Sequence, residues 1–139
     1  MCAHYHSVTD PTKLRQYFDV DAPTGPAKSD VWPDWRSGKA VATRIEAHNG
    51  EPLGIAGLWS AWRSPTGEIV SSFTMLTINA DDHPLMRNFH RPEDEKRMLV
   101  ILSPDYFDEW LNAKPEQSAR FLMPYSADQL IVSRRPSTR

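Results

Sequence analysis

Cysteine is nearly absent: Cys2 is the only one in 139 residues. That excludes an internal disulfide and any zinc site built on two or four cysteines. An excess of either charge is also lacking. Sixteen basic against 18 acidic residues leave a formal charge of −2. No basic surplus announces nucleic acid and no acidic surplus announces disorder, so any basic surface has to be local. Long apolar runs are missing. Stretches such as Met98-Leu99-Val100-Ile101-Leu102 fall far short of the ~18 residues that cross a bilayer, and no membrane partner is expected. Met1-Cys2-Ala3-His4-Tyr5-His6 has neither a basic nor an apolar leader segment, which makes the cytoplasm the expected location. No glycine-rich phosphate loop, zinc signature or nucleophile elbow occurs, so no cofactor is expected. What the chain does hold is proline and tryptophan, 12 and five, which points to a turn-rich fold with large aromatic anchors. Its length suits one domain.

The patterning predicts an α+β fold with a mainly antiparallel sheet and short flanking helices. Asp10 to Phe18 reads as a helix, with Asp10 able to cap, Pro11 in the first turn and Leu14, Tyr17 and Phe18 on one face. Residues 21–38 read as loop. A meander follows, with strands over 40–47, 53–62 and 69–78. Asn49-Gly50 and Ser64-Pro65-Thr66-Gly67 are its turns. Gly54 and Gly57 permit a bulge or a close backbone approach. Residues 79–97 read as irregular and 97–102 as a central strand. A helix from Pro104 to about Asn112 is expected to bury Phe107, Trp110 and Leu111, and a shorter one covers 116–122. Leu130-Ile131-Val132 reads as an edge strand, and 133–139 as a frayed tail.

Cys2 carries the most chemistry. Methionine aminopeptidases remove Met1 when the next residue is small, and cysteine qualifies. The chain then starts with a free α-amine beside a thiol. An α-amine has a reference pKa of ~8, so part of it is nucleophilic at neutral pH. Such a 1,2-aminothiol condenses with an aldehyde to a Schiff base, which the thiol closes to a five-membered thiazolidine. The alternative is that Cys2 is a small apolar residue in a core.

Five segments stand in an order that resembles the SOS response-associated peptidase (SRAP) family, the abasic-site processing proteins. They are Met1-Cys2-Ala3-His4-Tyr5, Asp30-Val31-Trp32-Pro33, Gly57-Leu58-Trp59, Phe73-Thr74-Met75-Leu76-Thr77, and His90 followed by Arg97-Met98-Leu99-Val100-Ile101-Leu102. The resemblance implies a partial version of a barrel-like sheet in a single domain over 1–139. It implies that Cys2 forms a thiazolidine cross-link to the ring-opened abasic sugar in single-stranded DNA, and that residues before the cysteine are removed autoproteolytically. His90 then corresponds to the histidine that assists ring opening and proton transfer. Imidazole suits that work because its ordinary pKa lies near working pH. Without the resemblance, His90 reads as a solvated loop residue.

The chain also departs from the family. Members carry a long middle segment with an Asn-Ala-Arg motif and a Tyr-Glu pair, which orient the sugar, grip phosphate and supply a glutamate. Here Pro33 runs straight into Asp34-Trp35-Arg36-Ser37-Gly38. The segment is missing at about residues 33–34. Lost strands predict exposed edges, covered by a partner chain or left as an aggregation hazard. An impaired fragment that at most binds DNA weakly and non-covalently is the second reading, and a thiol peptidase the third. The oligomeric state stays open.

DNA binding needs cations for phosphate and flat groups for bases. Arg87, Arg91, Lys96 and Arg97 around His90 are candidates, with Trp32 and Trp35 for stacking. Thr77 matches a family position near the DNA. Glu93, Asp94 and Glu95 share that loop, so a solvated charged loop is an equal reading. Cys-Ala-His, exposed by loss of Met1, together with His6, offers nitrogen donors to a square-planar copper or nickel ion. Chance matches to so short a motif argue against it, and no metal is expected. Asp81-Asp82-His83 looks ligand-like, but loop chemistry explains it.

Overall fold

The structure is a computed structural model that describes residues 32–34, 37 and 41–134. The expected helix over 10–18, Cys2, His4, His6 and Trp35, and residues 135–139 of the expected tail lie outside the described residues. By its contacts the chain divides into two compact units.

The first unit holds a three-stranded sheet in the order β1-β2-β9. Strand β2, Val41–Ala47, is the central one. It pairs antiparallel with β1, Trp32–Asp34, and with β9, Leu130–Arg134. Thr43 and Ala47, which alternation puts on one face, are buried, while Arg44 is exposed. The strand β1 corrects the loop expected over 21–38. Pro33 is tolerated there because β1 is an edge strand. The turn at Asn49-Gly50 forms as expected. Gly50 takes a φ of 74° and donates to Ala47 O at 2.9 Å, and Asn49 Oδ1 accepts from Glu51 N at 3.1 Å. The turn does not close a hairpin, however. Strand β2 goes to β1 and β9, and the next strand pairs elsewhere.

The second unit is built from three two-stranded ribbons. Strand β3, Gly54–Ile55, pairs with β8, Ile101–Leu102; β4, Gly57–Arg63, with β5, Ile69–Met75; and β6, Thr77–Asn79, with β7, Arg97–Leu99. All pairings are antiparallel, as predicted, and the described strands close no barrel. Each of the three strands expected to be continuous is instead broken at one residue: Ala56, Leu76 and Val100. These three residues form a ring. Ala56 N donates to Val100 O at 2.9 Å, Val100 N to Leu76 O at 3.0 Å, and Leu76 N to Ala56 O at 3.0 Å. The ring explains the breaks. A ladder serves two strands, so where three meet each must turn its peptide groups to both others. Ala56 and Val100 have no solvent exposure, and a buried peptide group must find a protein partner. The cycle supplies one to every N–H and C=O involved.

The core of this unit gathers at the ring. Ala56, Val100, Leu102 and Phe121 are its buried members, with Leu76, Ile78, Phe107, Trp110 and Ala113 against them. Helix α1, Phe107–Asn112, follows a 3₁₀ turn over Pro104–Tyr106, and a longer 3₁₀ segment covers Pro115–Phe121. A Cβ on Gly54 would land on the Phe107 ring, and one on Gly57 would lie 2.9 Å from Thr74 O. The close approach predicted at these glycines is what the fold uses. Leu111 is corrected: it is 78% exposed, because so short a helix turns only Phe107 and Trp110 inward.

Candidate functional site

Of the predicted site residues, the structure brings Thr77 and Arg97 together. They lie on paired strands as a diagonal pair, two residues off direct opposition, since Thr77 faces Leu99 and Arg97 faces Asn79. Arg97 Nε and Nη2 donate to Thr77 Oγ1 at 3.0 and 2.8 Å, and Nη2 also donates to Thr77 O at 3.1 Å. Nη1 reaches Glu95 Oε1 at 2.8 Å. The planar guanidinium is thereby held flat along the strand end. Thr77 does not neutralise its charge. Glu95 does so only weakly, because the pair is exposed and water screens it. Lys96 Nζ donates to Asp94 O. Of the loop's acids, Glu95 is the one paired with a cation, Arg97.

Arg87 and Arg91 are exposed. Arg87 belongs to the 3₁₀ turn Met86–Phe89. Trp32 is placed by its backbone in β1. His90, in the first unit, is buried at 6% exposure. That overturns the solvated-loop alternative for this residue.

His83 has a structural role. Its ring is buried. Nδ1 accepts from Leu85 N at 3.2 Å and from Met86 N at 3.0 Å, while Nε2 lies 2.8 Å from Tyr125 O. A nitrogen that accepts twice carries no proton, so Nε2 is the donor to the carbonyl. Asn79 and Asp81 close their own turn, Asn79 Nδ2 to Asp81 Oδ2 at 2.8 Å. The Asp81-Asp82-His83 stretch is therefore loop chemistry, as expected. Among the described residues no group of three or more His, Cys, Asp or Glu could hold a metal ion. His83→Ala removes three hydrogen bonds from a buried turn. We expect it to lower unfolding free energy by ~1–3 kcal/mol, read from urea denaturation. An unchanged midpoint would show that water replaces the ring.

Sequence reasoning missed the exposed aromatic pair Trp59 and Phe73, directly opposed on β4 and β5. The signal was present: both strands are apolar on both faces, so alternation assigns no inward side.

The model of the SOS response associated peptidase (SRAP) family matches residues 28–135. Abasic site processing protein YobE of Bacillus subtilis is 31% identical over 93 residues, 65% of this chain and 39% of that protein. Abasic site processing protein YoaM of the same organism is 29% identical over 108 residues, 73% of this chain and 44% of that protein. The chain thus spans about two fifths of the length of these curated relatives. A crystal structure of a protein from Bordetella bronchiseptica is similar at a TM-score of 0.85 and 32% identity, over 96% of this chain and 99% of that one. A second, from Bacteroides thetaiotaomicron, shares the fold at a TM-score of 0.65 and 18% identity, over 80% of this chain and 47% of that one.

Proposed function

The chain belongs to the SOS response associated peptidase family, and from that premise we propose that it processes abasic sites in single-stranded DNA by covalent capture through Cys2. The observation that carries this reading is the family match over 28–135, joined to a Met-Cys start. The named activity of the relatives, abasic site processing, supports the substrate class.

The chemistry follows from the aminothiol. The Cys2 amine adds to the aldehyde of the ring-opened sugar and expels water, giving an imine. The thiol sulfur then adds to the imine carbon, and its proton goes to nitrogen. No oxidant or reductant is needed. His90 moves the proton that ring opening requires. The Arg97 fork, steadied by Thr77, offers positive charge to a phosphate, in competition with Glu95. Arg87, Arg91 and Lys96 are further cations for phosphate, and Trp32 and Trp35 stack bases.

The test is incubation of the protein with an abasic oligonucleotide. A heat-stable adduct is expected, with none from Cys2→Ala, and the mass of the free protein should lack Met1. Retention of Met1 would sink the proposal, because it blocks the amine. The second reading is an impaired module that holds DNA without bonding to it. That reading expects no adduct from either protein, but a salt-sensitive mobility shift from both.

A further inference from the structure

We propose that the β4–β5 ribbon is an association surface for a second copy of this chain, joined antiparallel along β4 about a two-fold axis at Ser60. The ribbon pairs with no other described strand. Its residues turn both faces to solvent. One face carries the opposed pair Trp59 and Phe73, 78% and 80% exposed. The other carries Leu58, Trp62 and Val70, 53%, 60% and 45% exposed. Ile69 adds a further apolar side chain at 60%.

Size points the same way. With an aromatic side chain presenting on the order of 200 Å², the three aromatics alone leave roughly 400 Å² open. Pairing along β4 brings Leu58, Trp59 and Trp62 of each copy to the seam and leaves Ile69, Val70 and Phe73, on β5, at the outer edge of the joined sheet. A monomer's largest patch is typically ~300–600 Å².

The edge is unguarded too. Natural edge strands carry lysine, proline or a bulge to block pairing. From Gly57 to Trp62 β4 has no charge and no proline. Its sequence is close to self-complementary about Ser60. An antiparallel pairing there sets Leu58 against the partner's Trp62, and Trp59 against the partner's Ala61. Large meets large on one face and large meets small on the other, twice over by symmetry.

Charge argues against nucleic acid as the occupant. From 57 to 75 the ribbon has one cation, Arg63, and one acid, Glu68. Arg63 Nη1 already donates to Gly67 O at 3.2 Å. A strand of DNA on this surface would find no row of cations for its phosphates.

The test is molar mass by light scattering on the full chain at tens of micromolar. Twice the chain mass is expected. Trp59→Ser with Phe73→Ser should halve it while the far-ultraviolet circular dichroism is kept. Leu111→Ser, an equally exposed leucine outside the ribbon, should leave it unchanged. A register test does not depend on weakening the fold. Directly opposed Cα atoms lie ~4.5–5.5 Å apart, within disulfide range. In a Cys2→Ala background, Ser60→Cys should therefore cross-link to a covalent dimer under diamide, and Ser72→Cys, on β5, should not. A monomeric wild type overturns the proposal. So does a dimer that survives the double substitution, or one that cross-links through position 72 alone. A monomer whose tryptophan fluorescence is quenched by undamaged oligonucleotide, through Trp59, overturns it in favour of nucleic acid.

Discussion

If the chain captures abasic sites as proposed, replacing His90 with Gln should slow adduct formation on an abasic oligonucleotide by about 10²–10⁴-fold, the usual worth of one positioned acid–base group. The argument rests on where protons must move. A base-less sugar is mostly a closed hemiacetal, and the amine of Cys2 can attack only the open aldehyde. Opening transfers a proton from the hydroxyl on the anomeric carbon and delivers one to the ring oxygen. An open-chain aldehyde skips ring opening and keeps only the proton transfers of amine addition and water loss. The effect should therefore shrink when a simple open-chain aldehyde replaces the oligonucleotide, whereas Cys2→Ala removes both reactions. Glutamine is chosen because His90 is buried, and a side chain of similar reach that still hydrogen-bonds limits the damage to packing. Thermal melting of the variant separates the two causes. Equal loss on both aldehydes, with a lowered melting temperature, makes His90 a packing residue and removes it from the mechanism.

What sequence could and could not foretell divides along the range of the forces involved. Gly50 and Gly67 were legible as turns because positive φ is a local demand, met at 74° and 87°. The glycines at 54 and 57 were legible as close approaches, although Phe107 as the neighbour was not. The strand breaks were hidden. Gly57 beside Ala56 hinted at one break, but nothing local marks Leu76 or Val100, and the cause is a cycle of backbone bonds between segments 20 or more residues apart. The partner of β2 was hidden for the same reason: Asn49-Gly50 specifies a reversal, but not which strand receives it. On the functional side, Thr77 came from the resemblance and Arg97 from its place among the cations around His90, and the structure adds the hydrogen bonds between them. His90 as a buried group was invisible in a stretch of polar neighbours, because its burial is tertiary.

Phe121→Ala should be the most damaging single change to the fold among the described residues, costing ~3–5 kcal/mol out of the ~5–15 kcal/mol that holds a typical domain. Phe121 is the largest buried member of the cluster around the backbone ring, beside Ala56, Val100 and Leu102. Its ring meets Trp110 edge to face at 5.3 Å between centroids and Tyr106 at 6.1 Å. Arg120 lies over it at 4.6 Å, held in turn by Glu109 at 2.9 Å. Deletion removes transfer energy, leaves a cavity and takes the partner from each aromatic contact. Collapse to fill the space is resisted, because the peptides of Ala56 and Val100 beneath are fixed in the cycle. Leu111→Ala is the matched comparison. Both residues are large, apolar and in helical segments, but Leu111 is solvated, so its loss should stay within ~0.5 kcal/mol. Urea denaturation at constant slope reads both. Equal midpoints for the two variants would mean that the core is organised elsewhere. A Phe121→Ala midpoint near the wild type would mean that the 3₁₀ segment over Pro115–Phe121 is not part of the cooperative unit.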